Sequence, residues 1–208
     1  MTTREVLVAV YDGLADWEIG YVTAGLNNPA FQRAPGTFRV RTVAETAGEV
    51  TTMGGLRVAP ELTLDQADVQ GAALLVLPGA DSWLEGGHPG FADAATARLA
   101  AGGAVAAICG ATVGLAGAGL LDDRDHTGNA PEQLAMAAGY AGQGRFRPDR
   151  AVLDRGLVTA GGASPLEFAR EVFRVLDAYE PDVLEAWYQL YATGDPQWFG
   201  ALMAAVGE

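Results

Sequence analysis

The chain has 208 residues, of which 50% are apolar and 19% charged, and its formal net charge is -13. This is a globular composition, long enough for one domain with a full hydrophobic core. The negative charge argues against nucleic-acid and anionic-membrane partners, and the lone cysteine, Cys109, excludes an internal disulfide and fits a reducing cytoplasm. The N-terminal apolar run is short, lacks a preceding basic cluster and alternates like a strand, so it does not read as a signal peptide. Residues 100–121 carry no charge and are long enough to span a bilayer, but they contain six glycines. They read instead as strand, tight turn and helix in a soluble core.

Apolar strands alternate with amphipathic helices, the pattern of a parallel α/β sheet. The first strand is expected over Glu5 to Tyr11, and a helix over about Ala15 to Asn27. "FRVRTVAE" reads as the second strand, and "EVTTMGGLRVAP" as a hairpin around its glycine pair. "TLDQ" looks like a capping box opening a short helix. A central strand spans Ala72 to Asp81 and ends in a Pro-Gly turn. A helix over Phe91 to Ala101 is stopped by Gly102 and Gly103. "AVAAIC" is the next strand and "ATVGLAGAGLL" the next helix. Asn129 is placed as the N-cap of a further helix, with Glu132 three residues on. Two short strands flank Asp154 to Gly156. Ser164, Pro165 and Glu167 then form the strongest helix start in the chain. Its buried stripe is Leu166, Ala169, Val172, Phe173, Leu176 and Tyr179. Beyond Pro181, a helical tail over about 182–206 divides near Gly194 to Pro196. No linker interrupts residues 1–208, which read as a single domain.

In open α/β sheets, ligands bind beyond the carboxyl ends of the strands. Cys109 falls at such an end, between a strand and a helix. Ala107, Gly110 and Ala111 supply the small neighbours that a sharp nucleophile elbow requires. A helix N-terminus there favours thiolate over thiol. The bland alternative is a buried core cysteine. Three other strand ends should share this rim. After the first strand come Asp12, Gly13, Asp16 and Glu18; Asp16 suits a helix dipole, while Glu18 is either a solvated helix residue or a catalytic acid. The amides of Gly79 and Ala80, with that of Gly110, could hold an oxyanion. His126 is the candidate base, against the ordinary reading of an exposed loop histidine. His88, in "GGHPG", has no evident partner. The aromatic tail residues Trp187, Tyr188, Tyr191, Trp198 and Phe199 recur near helical spacing and suit a core or dimer seam. "GxGxxG" is absent after the first strand and no ligand-spaced His/Cys/Asp cluster occurs, so neither a dinucleotide cofactor nor a metal is expected.

The order "VLVAVYDG…DWE", "LLVLPGAD", "AAICGATVGLAGAGLLDDR" and "GLVTAGGASPLEFA" resembles the ThiJ/PfpI superfamily of class I glutamine-amidotransferase-like proteins, over Glu5 to about Tyr179. The resemblance implies a flavodoxin-like three-layer sandwich with a mostly parallel sheet, a nucleophile elbow and extra C-terminal helices, usually in a homodimer. It implies that Glu18 hydrogen-bonds to Cys109. It covers amidases, intracellular proteases, cofactor-free glyoxalases and deglycases, hydratases and redox-responsive protective proteins. Three departures stand out. Gly110 follows Cys109 where protease-like members carry histidine, which argues against a classical peptidase. "PGA" replaces the usual "PGG". Aligned on "GLLDDR", the family's histidine position falls nearer Asn129 than His126, so either residue could face the thiol. The resulting expectation is a cofactor-free, cysteine-dependent enzyme acting on a small carbonyl or acyl substrate, or alternatively a redox-sensing or stress-protective thiol protein without turnover.

Overall fold

The computed structural model describes residues 3–206. Its centre is a seven-stranded sheet: β1 (Arg4–Ala9), β2 (Phe38–Ala44), β5 (Leu62–Thr63), β6 (Leu74–Leu77), β7 (Ala104–Ile108), β8 (Ala151–Asp154) and β9 (Leu157–Ala160). The order is β5-β2-β1-β6-β7-β9-β8, parallel throughout except where β8 runs antiparallel to β9. A separate antiparallel hairpin joins β3 (Val50–Thr51) to β4 (Arg57–Val58).

The central strands β1, β6, β7 and β9 are nearly continuous in apolar residues because both faces are covered. Alternation assigns each residue to one of two cores. Leu7, Ala9, Leu75, Leu77, Val105 and Ala107 face a core shared with helices α2 (Pro89–Ala100) and α3 (Gly110–Gly117). Val6, Val8, Leu74, Val76, Ala106 and Ile108 face the opposite core. That side is covered by α1 (Gly20–Asn27), α5 (Pro165–Val175), α6 (Pro181–Thr193) and α7 (Pro196–Val206). The result is a flavodoxin-like sandwich with added C-terminal helices. Among the described residues, no helix is long and apolar enough to cross a membrane; the uncharged run around Cys109 is divided between β7, the turn and α3.

Four local expectations need correction. The first helix is broken into a 3-10 turn (Asp16–Glu18) followed by α1. Asp16 is drawn out of a helical role, because its carboxylate accepts hydrogen bonds from Thr52 Oγ1 and from the Gly54 amide at 2.6 Å. "TLDQ" forms only a turn, since Thr63 already ends β5 in register with Ala44. Asn129 does not cap the short helix α4 (Pro131–Leu134); Ala130 occupies that position in extended conformation. At α5 the capping box does not form. Ser164 makes no side-chain cap bond, and Glu167 instead meets Arg150 Nε at 2.9 Å and Tyr188 Oη at 3.2 Å. The predicted stripe of α5 is otherwise buried, with Phe168 added and Leu166 only half-buried.

Candidate active site

Cys109 terminates β7. Its amide donates to Ala160 O at 3.0 Å, keeping the strand paired with β9 up to the turn. Its backbone then adopts φ 59° and ψ -126°, outside the regions that L-residues favour. The carbonyl of Cys109 accepts both the amide (3.1 Å) and the hydroxyl (2.6 Å) of Thr112, so the first turn of α3 fixes this conformation. The thiol is half-buried at the carboxyl end of the sheet.

Glu18 is completely buried on the 3-10 turn after β1. Its Oε2 accepts from the Gly79 amide at 2.6 Å. Its Oε1, buried without a conventional partner, is turned toward the sulfur. Burial raises the carboxyl pKa to about 7, against the opposing pull of the Gly79 amide and of Cys109. Burial also pushes the thiol up. Asn129 and the Gly110 amide pull it down, while the Glu18 charge opposes them. The sequence-based expectation of a lowered thiol pKa is therefore not met in the resting pair, where desolvation outweighs the favourable dipoles.

Asn129, not His126, meets the sulfur. Its Oδ1 accepts from the Gly162 amide at 2.7 Å, which fixes the side-chain orientation and aims Nδ2 at Cys109 Sγ, 3.3 Å away. An amide in this position is a donor and cannot serve as a base. His126 is fully buried, with Nδ1 at 2.7 Å from Arg124 O and Nε2 at 2.7 Å from Tyr140 Oη. Both ring nitrogens are therefore committed elsewhere, and the structure does not bring His126 to the thiol. His88 is also engaged elsewhere, through Ser82 and Glu45.

The candidate oxyanion donors divide similarly. The Gly79 amide is occupied by Glu18. The Gly110 amide faces the sulfur, and Ala80 lies beside it in extended conformation, its carbonyl against Gly110. Two glycines make room for the thiol. A Cβ on Gly79 would lie 2.6 Å from Cys109 Cβ and 3.0 Å from Sγ; one on Gly162 would lie 2.8 Å from Sγ. Gly162 escaped the sequence reasoning, although the glycine pair directly after the last parallel strand was a usable signal. Trp17 was also missed; its indole donates to Gly162 O at 3.0 Å and ties the Glu18 segment to the loop after β9, on which Asn129 is anchored. Among the described residues, no group of three or more His, Cys, Asp or Glu could hold a metal ion.

A family model described as the DJ-1/PfpI family matches residues 4–175. The chain belongs to the DJ-1/PfpI family. It is 39% identical over 208 residues to a Bacillus subtilis protein named uncharacterized protease YoaZ, covering 99% of both chains. It is also similar to the crystal structure of a ThiJ/PfpI family protein from Bacillus anthracis, at 39% identity and a TM-score of 0.92, covering 100% of this chain and 99% of that one. A DJ-1 superfamily protein from Agrobacterium tumefaciens superposes with a TM-score of 0.82 at 31% identity, over 92% of this chain and 99% of that one. In this DJ-1/PfpI chain the elbow cysteine, the buried acid and a carboxamide form the cluster just described.

Proposed function

We propose that this DJ-1/PfpI protein is a cofactor-free enzyme that uses Cys109 as a covalent nucleophile on a small carbonyl or acyl compound. The observation that carries the reading is the buried Glu18 carboxyl, turned toward a cysteine held at φ 59° on a strand-to-helix turn. With a pKa of about 7, Glu18 is poised to accept a proton near neutrality. In the reactive form Glu18 is ionised and the thiol keeps its proton. As sulfur attacks the carbonyl carbon, the thiol proton passes to Glu18 Oε1 and the carbonyl oxygen takes up negative charge. The amides of Gly110 and Ala80 are the candidate donors to that oxygen. The Asn129 amide stabilises sulfur as it gains charge. Return of the proton from Glu18 completes the addition or assists the leaving group.

Peptidase chemistry is not supported, despite the name carried by the Bacillus subtilis relative. Neither histidine reaches the sulfur, and Gly110 follows the cysteine. Gly79 and Gly162 leave the thiol no more space than the absence of a Cβ provides, which suits a small electrophile. The test is a Cys109→Ser protein assayed on 2-oxoaldehydes and small amides. Loss of all activity in a folded variant is expected; wild-type rates would end the proposal.

One observation favours a second reading, in which Cys109 is a redox thiol. The unpartnered Glu18 Oε1 could, when protonated, donate to a sulfinate oxygen. Mild peroxide and intact mass separate the two. Rapid addition of two oxygen atoms at Cys109 favours sensing, and oxidation no faster than that of a free thiol opposes it. Homodimer formation is part of the proposal as well. Trp17, Met53 and Leu56 expose apolar surface together beside the hairpin, and a dimeric mass in light scattering is expected.

A further inference from the structure

A second cluster of reactive side chains surrounds His88. Glu45 follows β2, Ser82 sits on the 3-10 turn Asp81–Glu85 after β6, and His88 precedes α2. All three line one cavity of about 280 Å³, together with Tyr11, Asp12 and Glu49; Cys109, Glu18 and Asn129 do not line it. Ser82 Oγ lies 2.7 Å from His88 Nε2, and Glu45 Oε2 lies 3.5 Å from His88 Nδ1. The other Glu45 oxygen accepts from the Gly90 amide at 2.8 Å, which fixes the carboxylate. The imidazole is stacked on the Tyr11 ring, 4.0 Å between centroids and 26° between planes.

We propose that Ser82, His88 and Glu45 form a nucleophilic relay, independent of Cys109, that is acylated by small esters. The carboxylate at Nδ1 selects the tautomer with its proton there and leaves Nε2 free to accept the Ser82 hydroxyl proton. Burial lowers the His88 pKa while Glu45 opposes the shift, so the imidazole is a neutral acceptor near pH 7. In the first step a bond forms between Ser82 Oγ and the acyl carbon, and the hydroxyl proton moves to Nε2. The ester C–O bond then breaks, and the alcohol leaves with that proton. Water, deprotonated by the same nitrogen, releases the acid. Asp12, Glu45 and Glu49 line the cavity without a lysine or arginine, so neutral and cationic esters are favoured over anionic ones.

The chain supplies its own control, because Ser82 and Ser164 are its only serines. The intact protein is treated with an uncharged alkyl fluorophosphonate, and the adduct is mapped by peptide mass. The expected result is phosphonylation at Ser82 and not at Ser164, undiminished in Cys109→Ala. His88→Gln should slow it about a hundredfold, the loss of a positioned base. An absence of adduct at Ser82 in the unaltered protein, or equal labelling of the two serines, overturns the proposal without reliance on any variant. Equal rates in a folded His88→Gln protein overturn it too.

Discussion

Glu18 links stability to pH in a direction opposite to that of an ordinary surface acid. Its pKa rises from 4.5 to about 7 on folding. Between those values the native state keeps a proton that the unfolded chain has released, so stability falls as pH rises through this window and levels off above it. The loss amounts to about 3 kcal/mol, at 1.36 kcal/mol for each unit. Glu18→Gln should flatten that part of the profile, measured by urea unfolding at pH 4.5 to 8. The same substitution separates thiol ionisation from catalysis. It removes the negative charge that raises the Cys109 pKa, so alkylation by iodoacetamide should reach its midpoint at lower pH. Turnover should nevertheless fall about a hundredfold, because the proton acceptor is gone. Asn129→Ala removes the Nδ2 donor to sulfur and should move the alkylation midpoint upward. An unmoved midpoint would show that the carboxamide does not act on the thiol.

The elbow between β7 and α3 stores strain that a glycine would relieve. Cys109→Gly should therefore be more stable than Cys109→Ala by about 1 kcal/mol, the reverse of the order in a helix interior. Paired denaturant melts read this directly. The loops after β6 and β9 carry the matching constraint. Gly162→Ala places a methyl 2.8 Å from Sγ and should cost about 1–3 kcal/mol while disturbing thiol reactivity. These elements differ in how legible they were. β1, β6, β7 and β9 declared themselves because burial on both faces leaves nearly continuous apolar runs. Cys109 was visible because a lone thiol at a strand end, flanked by small residues, meets the steric demand of a nucleophile elbow. Caps were less legible: Asn129 and Glu167 have the right residue types, but tertiary partners took their side chains. The choice between His126 and Asn129 lay beyond spacing, since it depends on Tyr140 and Arg124 engaging the imidazole.

Across the molecule, the C-terminal helices are part of the core. Trp187 is buried against Phe173 and Tyr179, with Tyr21 of α1 edge-on to it. Trp187→Ala should cost about 3–5 kcal/mol in chemical unfolding. By contrast, Tyr191 and Phe199 are more than half exposed, so only part of the expected aromatic seam is interior. The thiol cluster draws on five stretches of chain that meet only when the sheet is assembled: Glu18 after β1, Gly79 after β6, Cys109 after β7, Asn129 beyond α3 and Gly162 after β9. A chain released from its template before residue 162 would carry an ordinary sulfhydryl. Its chemical character would arrive only with the last parallel strand, so a newly made molecule gains its reactive group late, with just the covering helices α5, α6 and α7 still to follow.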